Sequence, residues 1–98
     1  MPKLRLDCDF ATLAANKMKA LAHPLRLRIV AILRESNTHV NALAEELDAP
    51  QSVVSQHLRI LRMEGIVDLE RRDGFSVYRL LEPRIVNLLS CVEDCDWH

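Results

Sequence analysis

Glycine is scarce in this chain: two residues in 98, against an apolar share of 49%. A compact, mostly helical core is affordable with that composition. No glycine-rich loop is available to cradle a phosphate, and the element order brings no Ser/His/Asp set together, so an enzyme is not expected. Long apolar runs are missing as well. None approaches the roughly 20 residues that span a bilayer. Residues 1–10 lack the apolar stretch of a secretory signal, and the expectation is a cytoplasmic protein. There is no excess of positive charge: 13 Lys and Arg stand against 14 Asp and Glu, a net charge of -1. That balance weighs against bulk electrostatic binding of nucleic acid, although local distribution matters more than the sum. Cysteines number three, and an odd count in an intracellular chain points to thiols or ligands rather than structural disulfides. No repeat, low-complexity stretch or linker interrupts the chain, so residues 1–98 read as one domain. A domain this small buries a limited fraction of its surface, which favours a core shared between two copies.

The pattern that is present is helical with one interruption. Asp9 is placed to cap a first helix running to about residue 22, with Phe10, Leu13, Ala14 and Leu21 on its apolar side. His23-Pro24 ends it, and Pro24 suits the first position of a second helix with Leu25, Ile29, Ile32 and Leu33 as a wide stripe. Residues 36–39 form a loop, residues 40–47 a short third helix, and Asp48-Ala49-Pro50 a tight connection into a fourth. The period then changes. Residues 66–71 alternate as a strand, Asp73-Gly74 is a hairpin signal, and residues 75–80 return as its partner. Glu82-Pro83 opens a last helix to about residue 95, with Ile85, Leu88, Leu89 and Val92 at helical spacing.

The fourth helix has two faces. Val54, Leu58 and Leu61 fall at i, i+4, i+7, the spacing of a buried side. Ser55, Arg59 and Arg62 repeat that spacing on another side, with Ser52 and Gln56 beside them. In residues 49–65 the single acid is Glu64, in the last turn. Hydroxyls, amides and guanidinium groups without acids are the donors and acceptors that meet phosphates and base edges in a major groove. Acids gather elsewhere, near the termini and at Glu45, Glu46 and Asp48, while arginines gather at Arg59, Arg62, Arg71 and Arg72.

Two helices joined by a short turn and followed by a two-stranded ribbon make a winged helix-turn-helix. The segments ALAHPLRLRIV at 20–30, LAEEL at 43–47, QSVVSQHLRILRMEGIV at 51–67 and RRDGFSVYRL at 71–80 together resemble the ArsR/SmtB winged-helix repressors, over roughly residues 10–90. The resemblance implies a mostly α fold with a β-hairpin wing, and a homodimer packed through its first and last helices. It implies binding to palindromic operator DNA and repression of transcription relieved by a metal ion, metalloid or oxidant acting on thiols. DNA binding itself would need no cofactor. Gln51, Ser52, Ser55, Gln56 and His57 fall on the family's recognition helix. For His57 the residues leave two readings open, groove contact or packing, because Val53, His57 and Ile60 form a side of their own. Arg59 and Arg62 are placed to hold phosphates, and Arg71 and Arg72 to reach DNA from the wing.

The known sensing patterns of that family are not reproduced. The third helix, HVNALAEEL, holds no C-x-C pair for arsenic. The last helix offers Glu93, Asp94, Asp96 and His98 without the spacing of the zinc site. Ala31 stands where persulfide sensors carry a cysteine on the second helix. Cys8, Cys91 and Cys95 remain. Cys91 and Cys95 are one helical turn apart, and Cys8 precedes a helix expected to meet the last one, within a protomer or across the dimer. Three thiolates suit arsenite or antimonite, and cadmium or lead could use a similar set. A thiol redox or persulfide switch is the alternative, and so is a role as small apolar residues at the dimer seam. An effector-free DNA-binding regulator, or a dimerisation module without DNA, are the rival functions.

Overall fold

A computed structural model describes residues 2–97 as six helices and a two-stranded antiparallel sheet. In chain order these are α1 (Lys3–Leu6), α2 (Cys8–Leu21), α3 (Pro24–Glu35), α4 (Val40–Leu47), α5 (Gln51–Met63), β1 (Val67–Arg72), β2 (Phe75–Leu80) and α6 (Arg84–Asp94). The winged helix-turn-helix order expected from the sequence is present, with one short helix added in front.

The start of the chain differs from the sequence reading. Asp7, not Asp9, caps α2: its backbone is extended and its side chain accepts from the Phe10 amide at 3.0 Å. Asp9 already lies inside the first turn, where its charge favours the helix N-terminus without capping it. Cys8 is consequently the first residue of α2 rather than part of a preceding arm. α1 carries the alternating sequence KLRL and buries nothing.

Histidines cap two of the following helices. His23 takes the extended cap position before Pro24 and accepts from the Leu25 amide through Nδ1 at 3.0 Å. His39 accepts likewise from the Ala42 amide, 3.3 Å away. α4 ends on Asp48 in the left-handed region, φ 51°, which Asp tolerates better than most residues. α5 starts directly behind Pro50 without a side-chain cap. It closes on Gly65 at φ 70°, whose amide and that of Ile66 return to the Arg62 and Leu61 carbonyls, each at 3.0 Å, a glycine-terminated helix end.

Asp73 and Gly74, both with positive φ, make the two-residue turn between β1 and β2, and the register pairs Arg72 with Phe75 and Val67 with Leu80. Residues 36–39, expected as plain loop, also hold a bridge: Thr38 exchanges backbone hydrogen bonds with Tyr78 at 3.2 and 2.7 Å. The root of the wing is therefore stitched to the loop entering α4.

The core gathers Ile29, Val30 and Leu33 of α3, Leu43 and Leu47 of α4, Val54, Leu58 and Leu61 of α5, then Ile66, Val67, Ile85 and Leu89. Val54, Leu58 and Leu61 reach zero exposure, so the stripe read from the sequence is a buried side. The expected apolar side of α2 is not buried within one protomer. Leu21 is buried, yet Phe10 is 38% and Leu13 63% exposed. Leu88 of α6 is likewise 37% exposed. No helix among the described residues is long and apolar enough to cross a membrane.

Candidate nucleic-acid interface and thiol positions

With Val54, Leu58 and Leu61 pressed inward, helical geometry decides what α5 presents outward. Ser52, Gln56 and Arg59, at i, i+4, i+7, form an exposed line, with Gln51 exposed at its start. Ile60 and Met63 continue the exposed surface, Met63 at 75%. Ser55 sits to one side, half-buried. Arg62, two turns on from Ser55, turns toward the wing and places Nε 3.9 Å from Asp68. The five polar positions grouped by the sequence thus separate into an outward line and a flank beside β1.

His57 faces neither. Its ring stacks at a tilt on His23, centroids 4.3 Å apart. Its Nδ1 is buried and has no hydrogen-bond partner. Burial pushes its pKa below the ordinary histidine value, and the nearby His23 and Arg26 push the same way. The imidazole joins α5 to the start of α3, a contact across 34 residues of sequence that no local pattern reveals.

On the wing, Arg71 and Arg72 are both exposed. Arg72 is engaged with Glu70 at 3.1 Å, and that hydrogen bond, with Arg79 assisting, holds the Glu70 carboxyl below the usual carboxylate range. Arg71 forms no ion pair among the described residues. Asp68 and Glu70, flanked by Arg62, Arg72 and Arg79, neutralise charge along the wing, and among the described residues neither Arg59 of α5 nor Arg71 of the wing is engaged in an ion pair.

The three thiols are all exposed. Cys91 and Cys95 lie on the same end of α6, and the Cys95 thiol donates to the Cys91 carbonyl at 3.3 Å. Cys8 is elsewhere. One groove sets Phe10, Leu13 and Lys17 of α2 against Glu82 and Arg84, and a second sets Met18 and Leu21 against Leu88 and Val92. The two helices therefore advance in the same direction. Cys8 belongs to the Arg84 end, whereas Cys91 and Cys95 are further along by about 10 and 16 Å at 1.5 Å per residue. Among the described residues no three of His, Cys, Asp and Glu come together as a metal-holding group. Within one protomer the chain does not fit a three-sulfur centre. His98, named with Glu93, Asp94 and Asp96 as a possible ligand, lies outside the described residues. Glu93 instead forms a two-pronged pair with Arg34 of α3, at 2.7 and 3.0 Å, which lowers the Glu93 pKa and raises that of Arg34.

Two features of this region escaped the sequence reading. One is His23, both a cap and the seat of His57. The other is Lys17, whose ammonium donates to the carbonyl oxygen of Glu64 at the end of α5.

The fold and much of the sequence resemble known proteins. Residues 23–68 match the family model described as bacterial regulatory protein, arsR family. The HTH-type transcriptional repressor SmtB of Mycobacterium tuberculosis is 41% identical over 76 residues, which are 78% of this chain and 56% of that protein. The chain thus spans little more than half the length of that relative. The HTH-type transcriptional regulator NmtR of the same species is 39% identical over 88 residues, 90% of this chain and 73% of its own. The crystal structure of the transcriptional repressor BigR from Xylella fastidiosa superposes with a TM-score of 0.82 at 32% identity, covering 98% of this chain and 99% of that one. These relatives carry the names of regulators, not of enzymes. The chain belongs to the arsR family of bacterial regulatory proteins.

Proposed function

We propose that this chain is a transcriptional repressor that binds a palindromic operator as a homodimer, with α5 in the major groove. The observation that carries this reading is the exposed, acid-free line Ser52–Gln56–Arg59 on a helix whose opposite side is fully buried. Ser52 and Gln56 face base edges, with Ser55 and Gln51 at the margin of the contact. Arg59 holds a phosphate, and Arg71 and Arg72 contact the backbone or minor groove from the wing. Arg62 joins them when DNA competes for its distant partner Asp68. His57 supports α5 from behind through His23.

The dimer reading rests on apolar surface left open along α1, α2 and α6. Leu4, Leu6, Leu13 and Met18 are each more than half exposed. Beside them Met18, Leu21, Leu27, Leu88 and Val92 line an almost wholly apolar groove of about 170 Å³. Contiguous apolar surface on a small domain marks an interface. A second copy covering it places two α5 helices one DNA turn apart, roughly 34 Å.

Release is assigned to the thiols Cys8, Cys91 and Cys95. Since a single protomer separates Cys8 from the other two, a soft ion such as arsenite, antimonite, cadmium or lead requires the dimer to bring Cys8 of one copy to Cys91 and Cys95 of the other. Oxidation or persulfidation needs no such assembly, and the exposure of all three thiols supports it equally.

The test is fluorescence anisotropy on a duplex selected from a random pool by the wild-type protein. Gln56→Ala is expected to lose about 5- to 100-fold and to relax base preference at one position. Arg59→Ala should weaken all sequences alike and reduce the salt slope by about one. Selection of no duplex sinks the reading. Titration with arsenite or a polysulfide in wild type, Cys8→Ser and Cys91→Ser, followed by mass spectrometry beside anisotropy, separates the effectors. DNA affinity unchanged by every thiol reagent would make the protein an effector-free regulator.

A further inference from the structure

α5 packs against α3, α4 and β1, and meets α2 more sparingly. Val54, Leu58 and Leu61 are fully buried, and their packing seats the helix on α3 and α4. The start of the helix has no side-chain cap. The Arg62–Asp68 pair is long, 3.9 Å, with both side chains open to solvent, and such pairs constrain little. His57 rests on His23 by ring contact without a hydrogen bond from its buried Nδ1.

One directional tie remains. Lys17, half-buried on α2, donates to the carbonyl oxygen of Glu64. Among the described residues this is the only side-chain hydrogen bond joining α5 or its end residues to another helix. The receiving end is shaped for it. Gly65 turns the chain back, its amide and that of Ile66 take the Arg62 and Leu61 carbonyls, and the carbonyl of Glu64 is left to the ammonium. A cation there also meets the negative end of the helix dipole. A β-carbon at residue 65 would stand 3.6 Å from Nζ. The Lys17 stem lines the groove that holds Phe10, Leu13, Glu82 and Arg84, on the side left open for the second copy.

We propose that Lys17 is the positioning residue of the reading head, fixing the angle of α5 to the dimer-forming helix α2 and thereby the separation of the two Ser52–Gln56–Arg59 lines. The lever is long. Ser52 lies about 18 Å from Glu64 along the helix, so a swing of about 10° about that end displaces Ser52 by about 3 Å, more than a hydrogen bond to a base edge tolerates. This proposal rests on the reading of α5 as the DNA-contacting helix of a homodimer.

The test compares wild type, Lys17→Met, which keeps the apolar stem, and Lys17→Arg, which restores a donor; Lys17→Gln replaces the methionine variant if that one does not fold. The probes are a palindromic duplex of about 30 base pairs selected by the wild type, its isolated half-site, and versions with one base pair added or removed between the halves. Lys17→Met is expected to lose about tenfold or more on the palindrome and under about twofold on the half-site. It should also lose the wild type's preference for the original spacing, and Lys17→Arg should recover most of both. Equal losses on palindrome and half-site, an unchanged spacing preference, or no recovery with arginine overturn the proposal. Hydrogen exchange in the free protein supplies a DNA-independent arm. Amides 62–66 should exchange faster in Lys17→Met while those of α3 do not change, and unchanged exchange at 62–66 overturns the tie. Should the wild type select no duplex, the repressor reading fails and the exchange result decides the tie by itself.

Discussion

α5 and α6 follow the same rules and end up with opposite needs. Each begins directly behind a proline, with the Glu82 carboxylate accepting from the first amide of α6, and each presses one apolar stripe into the same core, Val54, Leu58 and Leu61 in one case, Ile85 and Leu89 in the other. What remains outside differs. α5 shows Ser52, Gln56 and Arg59, groups already satisfied by water and free to exchange it for phosphates and bases. α6 shows Leu88, 37% exposed, on the side that carries two thiols, with Met18 of α2 open across the shared groove. Water is a poor partner for that surface. Amphipathicity alone thus assigns no role; the proposed roles of the two helices rest on the chemistry of the side left over.

That comparison can be broken at several points. The largest effect is expected at Leu58→Ala, a cavity in the fully buried stripe of α5. It should cost about 2–5 kcal/mol of folding stability, measured by urea unfolding. Leu88→Glu, on the open face of α6, should leave the protomer folded but weaken self-association by about tenfold or more, read by sedimentation equilibrium. If instead it unfolds the chain and leaves association intact, the α6 face is core and the contrast with α5 collapses.

A smaller effect concerns the seat of α5. The His57 pKa is lowered in the fold, so the unfolded chain takes up the proton first as the solution is acidified. Stability is then full above the unfolded value, about 6.5, and declines as pH falls from there toward the lowered folded value. The same decline should be absent in His57→Gln, and thermal midpoints across pH 5–8 provide the check. The smallest effect is expected at Glu93→Gln. Its pair with Arg34 is solvent-exposed, so stability at neutral pH should shift little. The stability the pair contributes is present above the ordinary glutamate value and lost as pH falls through the lowered one, so wild type and variant should converge in acid and in high salt.

The parts of this architecture that could be read from the sequence are those set by short-range pattern. Val54, Leu58 and Leu61 announce a buried side because three residues at helical spacing suffice. Pro24 marks a helix start and Asp73-Gly74 a hairpin because each has a narrow backbone preference. The misplacements are local competitions: Asp7 and Asp9 both can cap α2, and only the extended backbone at Asp7 decides between them. α1 was invisible, since KLRL has neither a stripe nor a cap. The candidate interface was legible as a residue set but not as a geometry. Ser55 and Arg62 share helical spacing with Arg59, yet Ser55 is half-buried and Arg62 turns to Asp68 of the wing. His57 against His23 and Lys17 against Glu64 join residues far apart in sequence and have no local signature. The thiol reading suffered in the same way, because which end of α2 meets which end of α6 is a matter of packing direction.

The bridge between Thr38 and Tyr78 bears on a different property, resistance to misassembly. A two-stranded ribbon normally exposes two unpaired edges, each able to recruit another chain. Here β2 is bonded to β1 on one side and, at Tyr78, to the loop before α4 on the other. The edge of β2 nearest the core is closed, and the stretch toward the tip that stays open begins near Phe75, where Arg71 and Arg72 stand across the register. On β2, stray strand addition would have to start among those cations, whereas the outer edge of β1 pairs with no other strand among the described residues. β2 is thereby guarded against stray strand addition along the side it turns to the loop before α4.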